Sequence, residues 1–267
     1  MPVVATNTAA NSSLFYLNRN STLQSQSLSK ISSGSRIVRS SDDAAGLAVS
    51  DQLQADITAL ETAAQTTQQV EALLQIADGG LSRIGEILQR MKALATQYNS
   101  GTVDTVSQGF INDEYALLTA EIDLIATSTE FNGQQLLLGT FSEAAVVGVD
   151  ANFTIAVDLG TVDADAAGFS LAATITGTGE LDTIDKAIEK LGTYRATVGA
   201  LTSAFEFQGE VIATQIENLA AAKSSIADVD IAAEQTRFTN YQVLTEAAIA
   251  GLAQANQMKT SLLSLIR

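Results

Sequence analysis

Apolar and small residues recur along residues 70–95 at alternating steps of four and three: Val70, Leu74, Ala77, Leu81, Ile84, Leu88, Met91 and Ala95. Such a 4-3 alternation averages 3.5 residues per turn and keeps one stripe facing a partner helix. Ile87 and Leu94 widen the stripe beyond a narrow seam, and Leu53, Ile57, Leu60 and Ala64 continue it upstream. No proline interrupts it, because the only one in the chain is Pro2. The pattern predicts one helix from Asp43 to about Tyr98, roughly 80 Å long at 1.5 Å per residue. Gly79-Gly80 weakens its interior by about 1–2 kcal/mol, with no stop signal around it. Asn99-Ser100-Gly101 ends it.

A second helix follows, carrying Ile111, Tyr115, Leu118, Ile122 and Ile125. The short Asn99–Asp104 turn makes it antiparallel to the first. The period then changes. Phe131-Asn132-Gly133 reads as a turn, and the chain to about Gly179 alternates with period two. Phe153–Val157 and Ser170–Ile175 are the clearest predicted strands, flanked by Gly, Asp and Asn.

From Asp182, with Asp185 three residues on, a helix start reappears and the heptads resume: Ile184, Ile188, Leu191, Val198, Phe205, Ile212, Ile216, Leu219 and Ile226. Arg195, Thr202 and Gly209 interrupt this stripe. After a break at Asp228-Val229-Asp230, a last helix carries Tyr241, Ala248, Leu252, Ala255, Leu262 and Leu265. At the other end Leu14, Leu17, Leu28 and Ile31 form a sparser stripe that stops at Ser32-Ser33-Gly34.

The elements therefore run short helix, long helix, small β region, long helix, short helix. Amphipathic helices are held in water chiefly by burying their apolar face, so the N- and C-terminal helices are expected to pair along their length. The expected fold is mainly α: a long antiparallel helical rod or coiled coil with a small β region in the middle. A chain of this kind has little central core. Its terminal segments carry stripes that a single partner helix does not cover, and they are expected to be loosely ordered until neighbouring copies pack on them.

Composition removes several function classes. The 267 residues include no His and no Cys, so neither a Ser-His-Asp nor a Cys-His pair can form, nor a Cys/His zinc site. Carboxylate neighbours such as Asp42–Asp43 and Asp113–Glu114 remain, and on a helix surface such pairs are normally solvated. No catalytic residue, cofactor or metal site is expected. The formal charge of −16 argues against nucleic acid as a partner, since phosphate neutralisation needs Lys and Arg. No Lys or Arg occurs between Lys92 and Lys186, and that acidic stretch is expected to face solvent. The start of the chain has neither the basic region nor the apolar run of a cleaved signal, and no stretch approaches the roughly 20 apolar residues of a membrane span. Export without a cleaved signal, and no membrane insertion, are the expectations.

Two motifs remain. One is Ser33-Gly34-Ser35-Arg36-Ile37 followed by Ser41-Asp42-Asp43-Ala44-Ala45-Gly46-Leu47-Ala48; the other is Leu252-Ala253-Gln254-Ala255-Asn256-Gln257 with Leu262-Leu263-Ser264-Leu265-Ile266-Arg267. Physically, Gly34 suits a left-handed helix end, and Ser41 or Asp42 suits a cap. Arg36 and Arg39 stand beside Asp42 and Asp43, where weak ion pairs are expected. Gln254, Asn256 and Gln257 read either as polar helix surface or as groups bonding across a packed seam.

Both motifs closely resemble the two terminal signatures of bacterial flagellins, and Phe131-Asn132-Gly133 sits where that family has a turn. The resemblance covers about residues 1–140 and 180–267. It implies a filament subunit for motility, found outside the cell, that polymerises with itself as its ends fold on neighbouring copies. It also implies an inner coiled-coil domain from residues 1–42 and 228–267, and a rod of helices 43–130 and 182–227 with the β region 131–181. Subunit contacts would fall on Leu14, Leu17, Leu28, Ile31, Arg36, Asp42, Asp43, Leu252, Asn256, Leu262 and Leu265. An export chaperone, a filament cap and hook-junction proteins are the partners it implies. The β region is too short for the outer domains of larger members, so a thin, smooth filament is expected, with Ser and Thr of 140–180 open to O-linked sugars.

Gln89, Arg90, Leu94, Gln97 and Glu114 match positions by which flagellins of some bacteria engage an innate immune receptor, although Ala93, Met91 and Lys92 depart from that pattern. Met258-Lys259 likewise replaces a pair that often contains proline, so the last turns are expected to stay helical. Three other readings stay open at this stage: a hook–filament junction protein, a secreted coiled-coil binding module or adhesin, and an enzyme using surface carboxylates.

Overall fold

A computed structural model describes residues 6–150 and 152–265, with side chains described through Ser261. Its elements are α1 Thr8–Ser33, α2 Ala44–Tyr98, α3 Thr105–Ser128, β1 Glu130–Phe131, β2 Gln134–Gln135, β3 Ser142–Val146, β4 Thr154–Asp158, α4 Gly179–Ala227 and α5 Ile231–Leu265. The fold is mainly α, with long helices from both ends of the chain and small antiparallel hairpins. Two compact units divide it, Met1–Ala55 with Asn218–Arg267, and Asp56–Glu217.

The central unit, Asp56–Glu217, is built on the heptads. Leu74, Ala77, Leu81, Ile84, Leu88, Met91 and Ala95 of α2 are wholly buried, whereas Val70 is half-exposed. Facing them, Ile184, Leu191, Val198, Phe205 and Ile212 of α4 are buried at strict seven-residue steps. The two helices run antiparallel: Lys92 pairs with Asp185, Gly85 lies against Leu191, Asp78 pairs with Arg195 at 2.9 Å, and Gly209 lies against Thr67. Arg195 interrupts the stripe because it belongs to this rim pair, which favours its charged form. Thr67 occupies a buried position by donating its hydroxyl to the Ala63 carbonyl of its own helix.

Helix α3 returns along α2, with Arg90 holding Glu114 at 2.6 Å. Asp104 caps its start by accepting from the Ser107 amide, and hydrogen bonds from Ser107 hold the carboxyl below its ordinary range. Ile111, Tyr115, Ile122 and Ala126 are buried. Burial, with the charge of Glu180 adding to it, pushes the Tyr115 phenol up to about 12.

Gly79-Gly80 sits inside an unbroken α2, and the two glycines differ. A Cβ on Gly79 would meet nothing within 4 Å, while one on Gly80 would lie 2.8 Å from Thr129 Oγ1 and 2.9 Å from Leu137 Cδ1. Gly80 thus lets the segment after α3 approach the helix backbone.

The expected turn at Asn132-Gly133 joins β1 to β2, with positive φ at both residues (51° and 78°), as a tight two-residue hairpin demands. β4 falls on the predicted Phe153–Val157 run and pairs with β3 from Ser142↔Asp158 to Val146↔Thr154. The predicted strand Ser170–Ile175 does not form. Ser170 takes a left-handed φ of 57° after a turn in which Asp165 accepts from the Gly168 amide, and Ile175 donates to the Asn112 side chain. With Leu171 N donating to Ala166 O and Ile175 N to Asn112 of α3, backbone donors of this run go to groups other than a neighbouring strand. The start of α4 also differs from expectation. It begins at Gly179, where Glu180 accepts from the Thr176 hydroxyl and the Gly177 amide. Asp185 is spent on Lys92 rather than on a cap.

Candidate assembly surface

The other unit holds both ends of the chain. Gly34 terminates α1 in the left-handed region at φ 69°, as expected. The following residues zip onto the α4–α5 connection. Arg36 N donates to Ala227 O at 2.6 Å, Ser35 Oγ donates to the same carbonyl, and Val229 N donates to Gly34 O at 3.1 Å. The Arg36 guanidinium donates to Ile226 O, placing a cation on the carbonyl end of α4 where the helix dipole favours it.

The ion pairs expected of Arg36 and Arg39 with Asp42 and Asp43 give way to backbone capping. Asp42 Oδ2 accepts from the Val38 and Arg39 amides, at 3.2 and 3.1 Å. Asp43, rather than Ser41 or Asp42, caps α2 by accepting from Gly46 N at 2.9 Å. Gly46 has a steric reason as well: a Cβ there would lie 2.5 Å from Asp43 Oδ2 and 2.9 Å from Ile37 Cδ1. The motif is thus a folded linker closed over Ile37, which is buried.

Helices α1 and α5 pack antiparallel through a seam of small and polar groups. Asn7 Nδ2 donates to Ala255 O at one end, and Ser27 Oγ donates to Glu234 Oε1 at 2.6 Å nearer the other. Glu234 is 4% exposed and also accepts from Arg237. Among the described residues of this unit only Ser27, Ile37, Ser50, Glu234 and Ala255 are buried. Of the expected α1 stripe, Leu17 and Ile31 are half-buried, but Leu14 and Leu28 are 44% and 54% exposed. They turn away from α5 because Ser27, not Leu28, occupies the seam. On α5, Tyr241, Ala248 and Leu252 are half-buried and Ala255 is buried. The side chains of Leu262 and Leu265 lie outside the described residues.

Ser27 and Glu234 escape a search for apolar periodicity. A usable signal exists: counting back by sevens from Ala255 through Ala248 and Tyr241 lands on Glu234.

Much apolar surface is left in water. Phe15 and Tyr16 on α1, in edge contact at 5.7 Å, are 64% and 55% exposed. On α5, Val243, Leu244, Ile249 and Met258 are exposed. Gln254, Asn256 and Gln257 are exposed beside them.

In the central unit, the residues matched to a receptor surface do not form one accessible patch. Gln89, Arg90 and Gln97 are exposed and Glu114 is half-buried, but Leu94 is 2% exposed and belongs to the core.

Residues 4–142 match the family model described as the bacterial flagellin N-terminal helical region, and residues 181–266 match the bacterial flagellin C-terminal helical region. A flagellin of Halalkalibacterium halodurans is 38% identical over 91% of each chain, and one of Bacillus subtilis is 35% identical over 98% of each. A flagellar filament 33 kDa core protein of Treponema phagedenis is 33% identical, over 91% of this chain and 92% of its own. With both terminal regions matched and the intervening residues spanned by these alignments, the chain belongs to the bacterial flagellins.

Proposed function

We propose that this chain is the structural subunit of a bacterial flagellar filament used in motility, and that it joins the filament by packing α1 and α5 on those of neighbouring copies. One observation carries the mode of assembly: the terminal helices leave Leu14, Phe15, Tyr16, Leu28, Val243, Leu244 and Ile249 exposed while, among the described residues, burying almost no apolar side chain between themselves. Ordering such a pair costs about 1–2 kcal/mol per residue in backbone entropy, and burial at roughly 25 cal/mol per Å² offsets that only if several neighbours supply the area. Residues 1–42 and 228–267 would then form the inner coiled-coil domain, and 43–227 the rod.

The linker carrying Arg36, Asp42 and Asp43 is assigned to contacts that set register between copies; bonds within one subunit tie the α1–α2 and α4–α5 connections together and keep it folded for that role. Asn256, with Leu252, Leu262 and Leu265, belongs to the α5 contact. Heterologous contacts of this kind propagate an open helical polymer. The subunit acts as structure rather than as a catalyst, outside the cell. Its other partners are an export chaperone on the C-terminal segment, the filament cap and the hook-junction proteins. The Arg90–Glu114 pair is assigned to holding α3 on α2 rather than to a receptor.

Seeding purified protein with sheared filaments and imaging by electron microscopy tests the reading. Long filaments are expected; their absence under every condition overturns it. Hydrogen exchange on free monomer tests coupled folding separately, with fast exchange expected in α1 and α5 and strong protection there refuting it.

A further inference from the structure

We infer that Asn132 is a covalent modification site, where the side-chain amide is lost and the residue becomes isoaspartate or aspartate without an enzyme. The chemistry does not depend on how copies pack. It needs a backbone nitrogen that can reach the side-chain carbon, and glycine, lacking a Cβ, shields its own nitrogen least. Among the asparagines of the chain only Asn132 precedes a glycine. Elsewhere the fold also restrains the side chain. Asn99 Nδ2 donates to the Ala95 and Gly177 carbonyls, at 2.8 and 3.1 Å, and Asn112 Oδ1 accepts from Ile175 N. Asn132 and Gly133 are both exposed, and a Cβ on Gly133 would meet nothing within 4 Å. Water therefore reaches the amide freely.

The reaction balances with water alone. The Gly133 nitrogen gives up its proton and bonds to Asn132 Cγ. The Cγ–Nδ2 bond breaks, and ammonia leaves with that proton. Water then opens the cyclic imide. Cleavage between Cγ and the Gly133 nitrogen gives aspartate; cleavage at the main-chain carbonyl gives isoaspartate, whose backbone runs through Cβ and Cγ. Ammonia is lost to solvent, so the converted fraction rises with the age of the molecule.

The closed turn slows this step. Asn132 is left-handed at φ 51°, and that backbone turns the Gly133 nitrogen away from Cγ. Reaction requires the turn to open, and the hairpin around it has only the rungs Glu130↔Gln135 and Phe131↔Gln134. Glu130, Gln134 and Gln135 are exposed, so opening uncovers little apolar surface, and ladders this short are marginal. Isoaspartate then adds a backbone carbon, and the tight two-residue turn no longer closes. The next bond, Leu136 N to Thr129 O at 3.1 Å, leads to the wholly buried Leu136 and Leu137. Leu137 and Thr129 are the side chains that crowd Gly80, so the modification loosens that close approach.

Wild-type protein held at mildly alkaline pH, cleaved after glutamate and read by mass spectrometry tests this. The Phe131–Glu143 peptide holds one asparagine, and its fragment ions separate Asn132 from Gln134 and Gln135. An isoaspartyl methyltransferase with labelled S-adenosylmethionine, applied to the digest, counts the isoaspartate. Conversion is expected several-fold faster at Asn132 than at Asn99, slower than in urea-unfolded protein, and rising with hydroxide. Asn132→Gly suits the same turn and is expected to lose the methyl label. Native protein that keeps Asn132 intact while unfolded protein converts, or that converts Asn132 no faster than Asn99, overturns the inference. So does label that persists in the Asn132→Gly peptide. Aged wild-type protein is expected to melt below fresh protein, and equal melting would overturn the loss of the turn.

Discussion

Substituting alanine at two adjacent glycines should move stability in opposite directions. Gly79 and Gly80 share a helix interior, so replacing either by alanine gains about 0.8–1 kcal/mol of helix propensity. At Gly79 nothing opposes that gain, because a Cβ meets no atom within 4 Å. At Gly80 the new methyl meets Thr129 Oγ1 at 2.8 Å, Leu137 Cδ1 at 2.9 Å and Thr129 Cγ2 at 3.2 Å. Leu137 is wholly buried, and the Thr129 hydroxyl is committed to the Ile125 carbonyl at 2.7 Å, so neither side chain gives way freely. Overpacking of this kind costs about 1–3 kcal/mol, leaving Gly80→Ala destabilised by up to about 2 kcal/mol net. Thermal unfolding of monomer followed by circular dichroism reads the difference. At about 2–4 °C per kcal/mol for a unit of this size, Gly79→Ala should melt a few degrees higher and Gly80→Ala several degrees lower. The double variant Gly80→Ala with Thr129→Ala should recover part of the loss. Equal shifts at the two glycines would refute the close approach of the segment after α3.

Other expectations are read by simple assays. Ser27→Ala withdraws a buried donor from Glu234 and should cost about 1–3 kcal/mol in the terminal unit once it is ordered, seen as faster hydrogen exchange along α1 in assembled filaments; unchanged exchange there would refute the link. The Tyr115 phenol has a raised value in the fold, so its contribution is intact below about pH 10, the unfolded value, and is lost as pH rises towards about 12. Tyr115→Phe should remove up to about 2–3 kcal/mol of alkaline destabilisation in that window, measured by urea unfolding at pH 9 and 11.5. Leu14→Asp combined with Ile249→Asp should abolish filament growth in sedimentation assays without lowering the melting of the central unit. Growth at the wild-type rate would show that these faces are not contacts.

The central unit was largely legible because there hydrophobicity and burial coincide. Leu74, Leu81, Leu88 and Ala95 recur at the heptad step and are wholly buried, as are Ile184, Val198 and Phe205 opposite them. Legibility failed where a side-chain hydrogen bond decided the backbone. Ser170–Ile175 alternates like a strand, yet Asp165 and Asn112 capture its surroundings. Glu180, three residues after its bonding partner Gly177, starts α4 earlier than the Asp182 signal suggests. In the linker, the residue types were right and their bonds were not: a carboxylate beside an arginine reads as an ion pair, but at helix ends unsatisfied amides and carbonyls compete for both.

The terminal helices invert the relation between hydrophobicity and burial. On α1 the seam against α5 uses Ser27, while Leu14, Phe15, Tyr16 and Leu28 face water; on α5 it buries Glu234 and leaves Val243, Leu244 and Ile249 out. A monomer selected for its own stability would gain by the opposite choice, since each large apolar side chain moved from water to a core contributes about 1.5–3 kcal/mol. A polar seam has a different merit. Hydrogen bonds between Ser27 and Glu234, and between Asn7 and the Ala255 carbonyl, fix the register of the pair by geometry, whereas an apolar seam tolerates sliding. The apolar faces stay available for other copies. The division follows from assembly: direction and register are set within the subunit by polar bonds, and the stabilising burial is deferred until neighbours arrive. The same logic explains why a single partner helix does not cover the apolar stripe of α1, where Leu14 and Leu28 stay exposed. It is not the seam of this subunit.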